Sequence, residues 1–268
     1  MLNSEAVDLE FPLETAAPGE LEAAPAVRRP LFSRNSPLFQ ALRWAYQPVK
    51  AIASGAADLR QRPSMRRTIA AYLAGSGFKG LHVGCGPFHL DGWLNSDLRP
   101  NPPHTDFSQD ITRRFPLPDE SLDAIYGCEV VEHLPRGGMV NFLRQSYRVL
   151  KSGGVLRLTT PDVNEVCRLF LGVHPDVKLE QFRAVWLEGN FSPEAWINSQ
   201  FREWGHQHLY SFDELSKRLA HAGFRKVVRC QPHTTPSAIE QLGNLETRYG
   251  KSAPDWLWAK TMILEASR

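Results

Sequence analysis

From about residue 66 onward, short apolar runs alternate with stretches of helical periodicity. Arg66–Ala74 reads as a helix stopped near Gly75 and Gly77, and Lys79–Val83 as a short strand running into Gly84-Cys85-Gly86. Gly92–Leu98 (GWLNSDL) predicts a strand ending in an acid, and Leu122–Tyr126 (LDAIY) another after a polar turn. Gly138–Leu150 carries apolar positions at helical spacing, with Lys151-Ser152-Gly153-Gly154 as its C-cap signal. Val155–Thr160 is the next strand, closed by Pro161. Phe212–Ala222 then reads as a helix stopped by Gly223, and Lys226–Cys230 and Lys260–Ala266 as closing strands. Such alternation predicts an α/β domain, a mostly parallel sheet with helices on both faces. Ligands bind beyond the carboxyl ends of the strands in sheets of this kind. The loops after Val83, Leu98, Tyr126 and Thr160 are therefore where chemistry is expected.

Ahead of residue 66 the pattern is different. Residues 1–27 hold six acids and no Lys or Arg, in an Ala-, Glu- and Pro-rich stretch without periodicity. Residues 28–67 hold nine bases against Asp58 alone. The expected organisation is a disordered acidic-to-basic tail over 1–35, a basic amphipathic helical extension over 36–65, and the α/β domain over 66–268. In the extension Leu38, Leu42, Val49 and Ile52 fall roughly on one helical stripe, which Pro48 would kink. A basic helix of this kind can lie on an anionic membrane surface, dock on a protein partner, or pack against the main domain. No nucleic-acid partner is expected, because the bases are confined to the extension and no RNA- or DNA-binding motif accompanies them.

Composition narrows the class further. Apolar residues make up 42% and charged residues 22% of 268 residues, which argues against a wholly disordered or collagen-like chain. No stretch approaches the roughly 18–20 uncharged apolar residues of a spanning helix. The N-terminus carries acids where a secretory signal carries positive charge. Four cysteines (85, 128, 167 and 230) form no CxxC pair, so they read as reduced thiols of a cytoplasmic protein. With the basic segment 28–67 included, the expected location is the cytoplasm, extending to the inner face of the membrane.

The loops contain an ordered set of candidates. Glycines in Gly84-Cys85-Gly86-Pro87 let the backbone approach a ligand. Asp97, ending the next strand, can accept hydrogen bonds from both hydroxyls of a ribose. Asp110-Ile111 offers one polar and one apolar contact to a nucleobase. Each acid alone is more often a turn residue or a helix cap; three such features in order, each beyond a strand, are hard to obtain by accident.

These segments resemble the class I S-adenosylmethionine-dependent methyltransferases. They look most like the predicted bacterial methyltransferases of the methyltransferase type 11-like group, which are associated with surface-polysaccharide pathways. The resemblance covers about 78–268 and is carried by LHVGCGP (81–87), GWLNSDL (92–98), QDITRRFPLPDESLDAIYGCEVVEHL (109–134), RVLKSGGVLRLTTPD (148–162) and HQHLYSFDELSKRLAHAGF (206–224). It implies a Rossmann-like fold with a seven-stranded, mostly parallel sheet, an antiparallel last strand at MILEA (262–266), and a helical lid insertion at about 163–205. S-adenosyl-L-methionine is the implied cofactor. Gly84, Cys85 and Gly86 would lie under its methionine part, Asp97 would hold the ribose, Asp110 and Ile111 would flank the adenine, and Gly127, Cys128 and Glu129 would line the methionine side. Two departures stand out. His82 occupies a place that is often acidic, and only ten residues separate Gly86 from Asp97, too few for a full crossover helix.

The implied activity is methylation of a hydroxyl on a sugar, glycolipid or related small molecule or glycan. A secondary-metabolite or lipid-like hydroxyl or amine is the alternative acceptor, and a catalytically silent scaffold the alternative role. A hydroxyl acceptor benefits from a positioned base. His133, in Glu132-His133-Leu134, and Asp162, beyond the fifth strand, are the catalytic candidates; a helix cap is the plain alternative for His133, a turn for Asp162. His206, His208 and Tyr210 can form a substrate wall, with Trp196 and Trp204 stacking on an acceptor and lid packing as the alternative. His206 and His208, even with Glu203 nearby, are too few for a zinc site of three or four protein ligands, so no metal is expected.

Overall fold

The computed structural model describes residues 63–99, 101–186, 190–246 and 254–268. The expected tail (1–35) and all but the last three residues of the expected extension (36–65) lie outside them. Among the described residues no helix is long and apolar enough to cross a membrane, and none of the four cysteines forms a disulfide.

A helix, α1 (63–74), leads into the sheet. Met65, Ile69, Tyr72 and Leu73 recur at helical spacing and pack on the core. The Tyr72 hydroxyl ties the helix to the sheet: it accepts from the Gly80 amide at 2.8 Å and reaches the Gly80 and Gly92 carbonyls at 3.0 Å.

Seven strands follow: β1 (Gly80–Val83), β2 (Trp93–Asp97), β3 (Phe107–Ser108), β4 (Leu122–Cys128), β5 (Leu150–Pro161), β6 (Lys226–Cys230) and β7 (Thr261–Ser267). They form one sheet in the order β3-β2-β1-β4-β5-β7-β6. The first five pair in parallel, and β7 runs antiparallel between β5 and β6. This is the class I methyltransferase topology, as expected from the sequence. β3 had no signal of its own, since two residues cannot display a period.

Helices α2 (Arg136–Val149) and α5 (Phe212–Ala222) join α1 on one face of the sheet. Met139, Phe142, Leu215 and Leu219 meet Leu81, Leu94, Leu158 and Leu264 there. Among the described residues the second face carries no crossover α-helix between these strands. The segments between β1 and β2 and between β2 and β3 are too short for a crossover helix, and the second face is covered instead by residues 239–245. Leu242 and Leu245 pack on Trp93, Tyr126 and Val155.

The glycine signal at 151–154 also has a different use. α2 ends at Leu150, whose extended backbone (φ −69°, ψ 142°) starts β5 directly. Gly153 takes φ +78°, and a Cβ on Gly154 would lie 2.9 Å from the Lys151 carbonyl oxygen and 3.1 Å from that of Asp123. The glycines therefore shape a register shift between β4 and β5. Gly223, in contrast, ends α5 in the left-handed region (φ 109°), as expected.

The lid region holds α3 (Val163–Phe170), a 3-10 turn at Leu179–Val185, and α4 (Pro193–Arg202). Val166, Leu169, Phe182, Trp196 and Leu209 give it a small core of its own.

This second face carries charge at its centre. Arg157 donates from Nε to Glu246 at 2.7 Å and from Nη1 to Glu265 at 2.6 Å, with all three side chains buried. Glu246 also accepts from the His233 amide at 2.8 Å, so one network holds the 233–246 segment to the sheet. Removing one partner of a buried pair leaves an uncompensated charge. Arg157→Met is therefore expected to lower unfolding free energy by about 3–5 kcal/mol, and Glu246→Gln with Glu265→Gln on the same background to recover much of it. Urea unfolding measures both; a loss under about 1 kcal/mol for Arg157→Met, no larger than a surface pair, would contradict the role given to this network.

Candidate active site

The loop after β1 is shaped by two glycines with positive φ, Gly84 at +62° and Gly86 at +53°. A Cβ on Gly84 would sit 2.2 Å from Val130 Cγ2, so only glycine lets the β1 loop meet the β4 loop. Around Gly86, by contrast, a Cβ would meet nothing within 4 Å, leaving open space above the backbone. That space is a cleft of about 380 Å³. Gly84, Cys85 and Gly86 form one side, Cys128 and Glu129 another, and His82 and Tyr126 the floor; Pro87, Phe88, Leu90 and Leu245 complete it. Its size lies within the usual range for small-ligand sites.

Asp97 borders this cleft through the loop it supports. Its Oδ2 accepts from the Gly86 amide at 3.0 Å and its Oδ1 from the Arg99 amide at 2.9 Å. Each oxygen keeps a further lone pair. A carboxylate held in this way beside a glycine cradle fits a ribose. Asp110 is tied into its own turn instead: Oδ1 accepts from the Thr112 amide at 2.9 Å and hydroxyl at 2.6 Å, and Oδ2 pairs with Arg113 at 3.1 Å. Ile111 is buried in the main core. Neither lines the cleft, nor does Gly127, which is packed between Val83 and Leu158.

Beyond β4 the chain is strained and acidic. Glu129 has φ +52°, unusual for a side-chain-bearing residue, and its amide donates to the Thr159 carbonyl at 2.8 Å. Its Oε1 is buried without a hydrogen-bond partner. One turn on, Glu132 is fully buried: Oε2 accepts from the Thr160 hydroxyl at 2.9 Å, while Oε1 has no partner. Burial first, and then the charge of Glu129, push the Glu132 carboxyl up to about 8.

His133 follows with its side chain 34% exposed and Nε2 3.7 Å from Glu132 Oε1. The His206 ring lies 4.9 Å from the His133 ring, edge to face. His206 Nδ1 donates to the Gln200 carbonyl at 2.6 Å, which leaves Nε2 as the unprotonated nitrogen of the neutral ring. Burial holds His206 below the usual imidazole range. The amides of Gln207 and His208 donate to the Glu132 carbonyl at 2.7 and 3.2 Å, which fixes this segment against the β4 loop. Trp204 is 58% exposed, with its ring 5.5 Å from that of His206. A row of side chains thus runs from Glu132 through His133 and His206 to Trp204, beginning three residues beyond the cleft's own Glu129.

The other predicted residues lie elsewhere. Asp162 is fully buried, caps α3 by accepting from the Asn164 amide at 3.0 Å, and pairs with Arg229 at 2.7 Å. It is a structural anchor rather than an open base. His208 turns from His206 toward Glu214, 3.1 Å away. Tyr210 is buried in the core beneath the His208 ring, 4.5 Å from it. Trp196 is 2% exposed and packs on Phe182 inside the lid, so its faces meet protein. Sequence reasoning missed Tyr126, Leu245 and Glu132 as parts of the site. An acid inside the apolar turn VVEHL was the available signal for Glu132.

Burial pushes the His82 imidazole at the cleft floor down to about 4. Its Nδ1 bonds Asn95 Oδ1 at 3.2 Å and its ring stacks on Tyr126. The unfolded chain takes up a proton there near pH 6.5, whereas the folded chain does so only near pH 4. Stability from this group is thus complete above pH 6.5 and falls on acidification through that window, by up to about 3 kcal/mol. Glu132 works in the opposite sense over part of the range, so the comparison must be with His82→Gln. Denaturant unfolding at pH 7 and near pH 4 is expected to show a larger acid loss for wild type than for this variant; equal losses would contradict a buried neutral His82.

Residues 93–158 match the Methyltransf_11 family model, described as "Methyltransferase domain". A "Probable S-adenosylmethionine-dependent methyltransferase" of Mycobacterium tuberculosis is 26% identical over 158 residues, 59% of this chain and 45% of that protein. The chain thus spans just under half the length of that relative. A similarly described protein of Mycolicibacterium smegmatis is 34% identical over 65 residues, 24% of each chain. Among solved structures, an S-adenosylmethionine-dependent methyltransferase from Archaeoglobus fulgidus aligns over 80% of this chain and 94% of its own at 13% identity and a TM-score of 0.42. The strand order identifies the fold. The family and the curated relatives imply S-adenosylmethionine as the cofactor, and the glycine cradle with its anchored Asp97 fits that molecule.

Proposed function

We propose that the protein is an S-adenosylmethionine-dependent methyltransferase that methylates a hydroxyl of a sugar, glycolipid or related small molecule. The observation that carries this reading is the adjacency of two features. The Gly84–Gly86 cradle with Asp97 provides a nucleoside-type site, and the Glu132–His133–His206–Trp204 row begins three residues beyond Glu129 of that cleft. When bound, S-adenosylmethionine supplies a methyl group on a positively charged sulfur, an already activated leaving group.

The protein's own residues then have three tasks. Gly86 and Asp97 hold the nucleoside end, the Asp97 carboxylate accepting from ribose hydroxyls. Glu129 presents a carboxylate to the cleft. His133 and His206 face the acceptor side, where a neutral imidazole can accept the hydrogen of an acceptor hydroxyl. The exposed Trp204 ring favours a sugar, because an indole face can pack on the apolar face of a pyranose while its edge stays wet. Alignment of acceptor and methyl group is the main catalytic contribution asked of this site.

Titration calorimetry with S-adenosylmethionine and, separately, S-adenosylhomocysteine tests the cofactor half of this reading. Wild type is expected to bind both at micromolar concentration. Asp97→Ala is expected to weaken binding by about 1.5–3 kcal/mol, the range for hydrogen bonds to a charged group. No binding by folded, cofactor-free wild type would overturn the reading, and an unchanged dissociation constant in Asp97→Ala would remove the ribose role. Sugar and glycolipid acceptors then test the second half by transfer of a labelled methyl group; cofactor binding without transfer to any of them would count against the acceptor class.

A further inference from the structure

The Glu132, His133 and His206 side chains each offer one ligand atom, and these atoms lie within 4.8 Å of one another. We propose that they bind a divalent first-row metal ion of the zinc or manganese kind at the mouth of the cofactor cleft.

Three observations support a cation here. First, Glu132 is fully buried, and its Oε1, 3.7 Å from His133 Nε2, has no hydrogen-bond partner. A buried carboxylate oxygen left unpaired costs several times more than a paired one, and a metal ligand bond is one of the few ways to satisfy it. Second, His206 is prepared as a ligand. Its Nδ1–H is committed to the Gln200 carbonyl at 2.6 Å, which fixes the tautomer and the ring plane and leaves the Nε2 lone pair available. This is the outer hydrogen bond that metal-bound histidines usually make. Third, a second carboxyl group stands near the site. Glu129, three residues before Glu132, has its own Oε1 buried without a hydrogen-bond partner.

The donor set decides the class of ion. Two imidazoles and a carboxylate are too nitrogen-rich for calcium or magnesium, which prefer all-oxygen shells. Three protein ligands also leave at least one position open, the pattern of catalytic rather than structural zinc. The backbone supports the arrangement, since the Gln207 and His208 amides hold the 206–208 segment to the Glu132 carbonyl. The ligands therefore come from two distant stretches of chain that are already fastened together. In function, and here the inference rests on the methyltransferase reading, the open position faces the acceptor. A hydroxyl bound there would be oriented and more readily ionised, its proton passing to solvent, since the two imidazoles that take it up in the metal-free protein would then be ligands.

The test is direct metal binding by the full-length protein after chelator treatment and dialysis. Calorimetric titration with zinc chloride and with manganese chloride is expected to show one equivalent per chain for at least one of them, with magnesium chloride much weaker. His133→Ala, a change at a half-exposed side chain, and His206→Ala are each expected to weaken binding at least 10-fold, the usual scale for damage to a metal site. Wild type is also expected to melt at higher temperature with the metal, an increase lost in both variants. Absence of saturable binding up to about 1 mM, or unchanged affinity in folded His133→Ala and His206→Ala, would overturn the proposal. S-adenosylhomocysteine titration of the same metal-free protein separates the two claims. Cofactor binding without metal binding removes only the metal site, whereas metal binding without cofactor binding removes the methyltransferase reading and leaves the site.

Discussion

Arg157 holds two buried carboxylates, and the face of the sheet opposite α1, α2 and α5 is organised around it. In a sheet with helices on both faces that surface would be covered by crossover helices, but the short links between β1, β2 and β3 leave no room for them. The 233–246 segment takes their place, fastened through Glu246 to Arg157 and, through the Leu245 carbonyl, to the Tyr126 hydroxyl at 3.3 Å. Leu245 then forms part of the cleft. A buried ion network is weak evidence for extra stability, since desolvation offsets much of the attraction. Its value here is positional, because it sets where the 233–246 segment lies against the sheet.

Carboxyl oxygens buried without hydrogen-bond partners mark the β4 end of the site. Glu129 is held in a left-handed backbone conformation and Glu132 is fully buried, each with an unpartnered oxygen. Such arrangements lower stability and persist where the surrounding structure enforces them. The Val130 contact with Gly84 is one such enforcement: it brings the β1 and β4 loops together so closely that Gly84 has no space for a side chain. The same contact that closes the core therefore sets two acids beside a cofactor cleft and beneath two histidines.

Much of this was legible in the sequence. Strand and helix alternation, the positive-φ glycines after β1, and the acid ending β2 are each signalled by local chemistry, because backbone geometry there admits few residues. Trp196 and Trp204 show where local reading ends. Both belong to one aromatic-rich stretch, yet Trp196 faces the lid's interior and Trp204 faces solvent beside His206. Asp162 illustrates the same limit, since its position after β5 suited a base until Arg229 and the α3 amide claimed its oxygens. The Arg157 network and the Glu132–His133–His206 group were invisible for a different reason. Each joins distant stretches of chain, Arg157 to Glu246 and Glu265 and Glu132–His133 to His206, and a charge inside an apolar run does not announce its partner.

The crystal structure of the protein soaked with S-adenosylhomocysteine tests the central claim most directly. The account predicts the nucleoside over Gly84–Gly86 with its ribose hydroxyls on Asp97, and the sulfur end directed past Glu129 toward His133 and His206. A nucleoside seated elsewhere, or with the ribose away from Asp97 and the sulfur away from the two histidines, would contradict it.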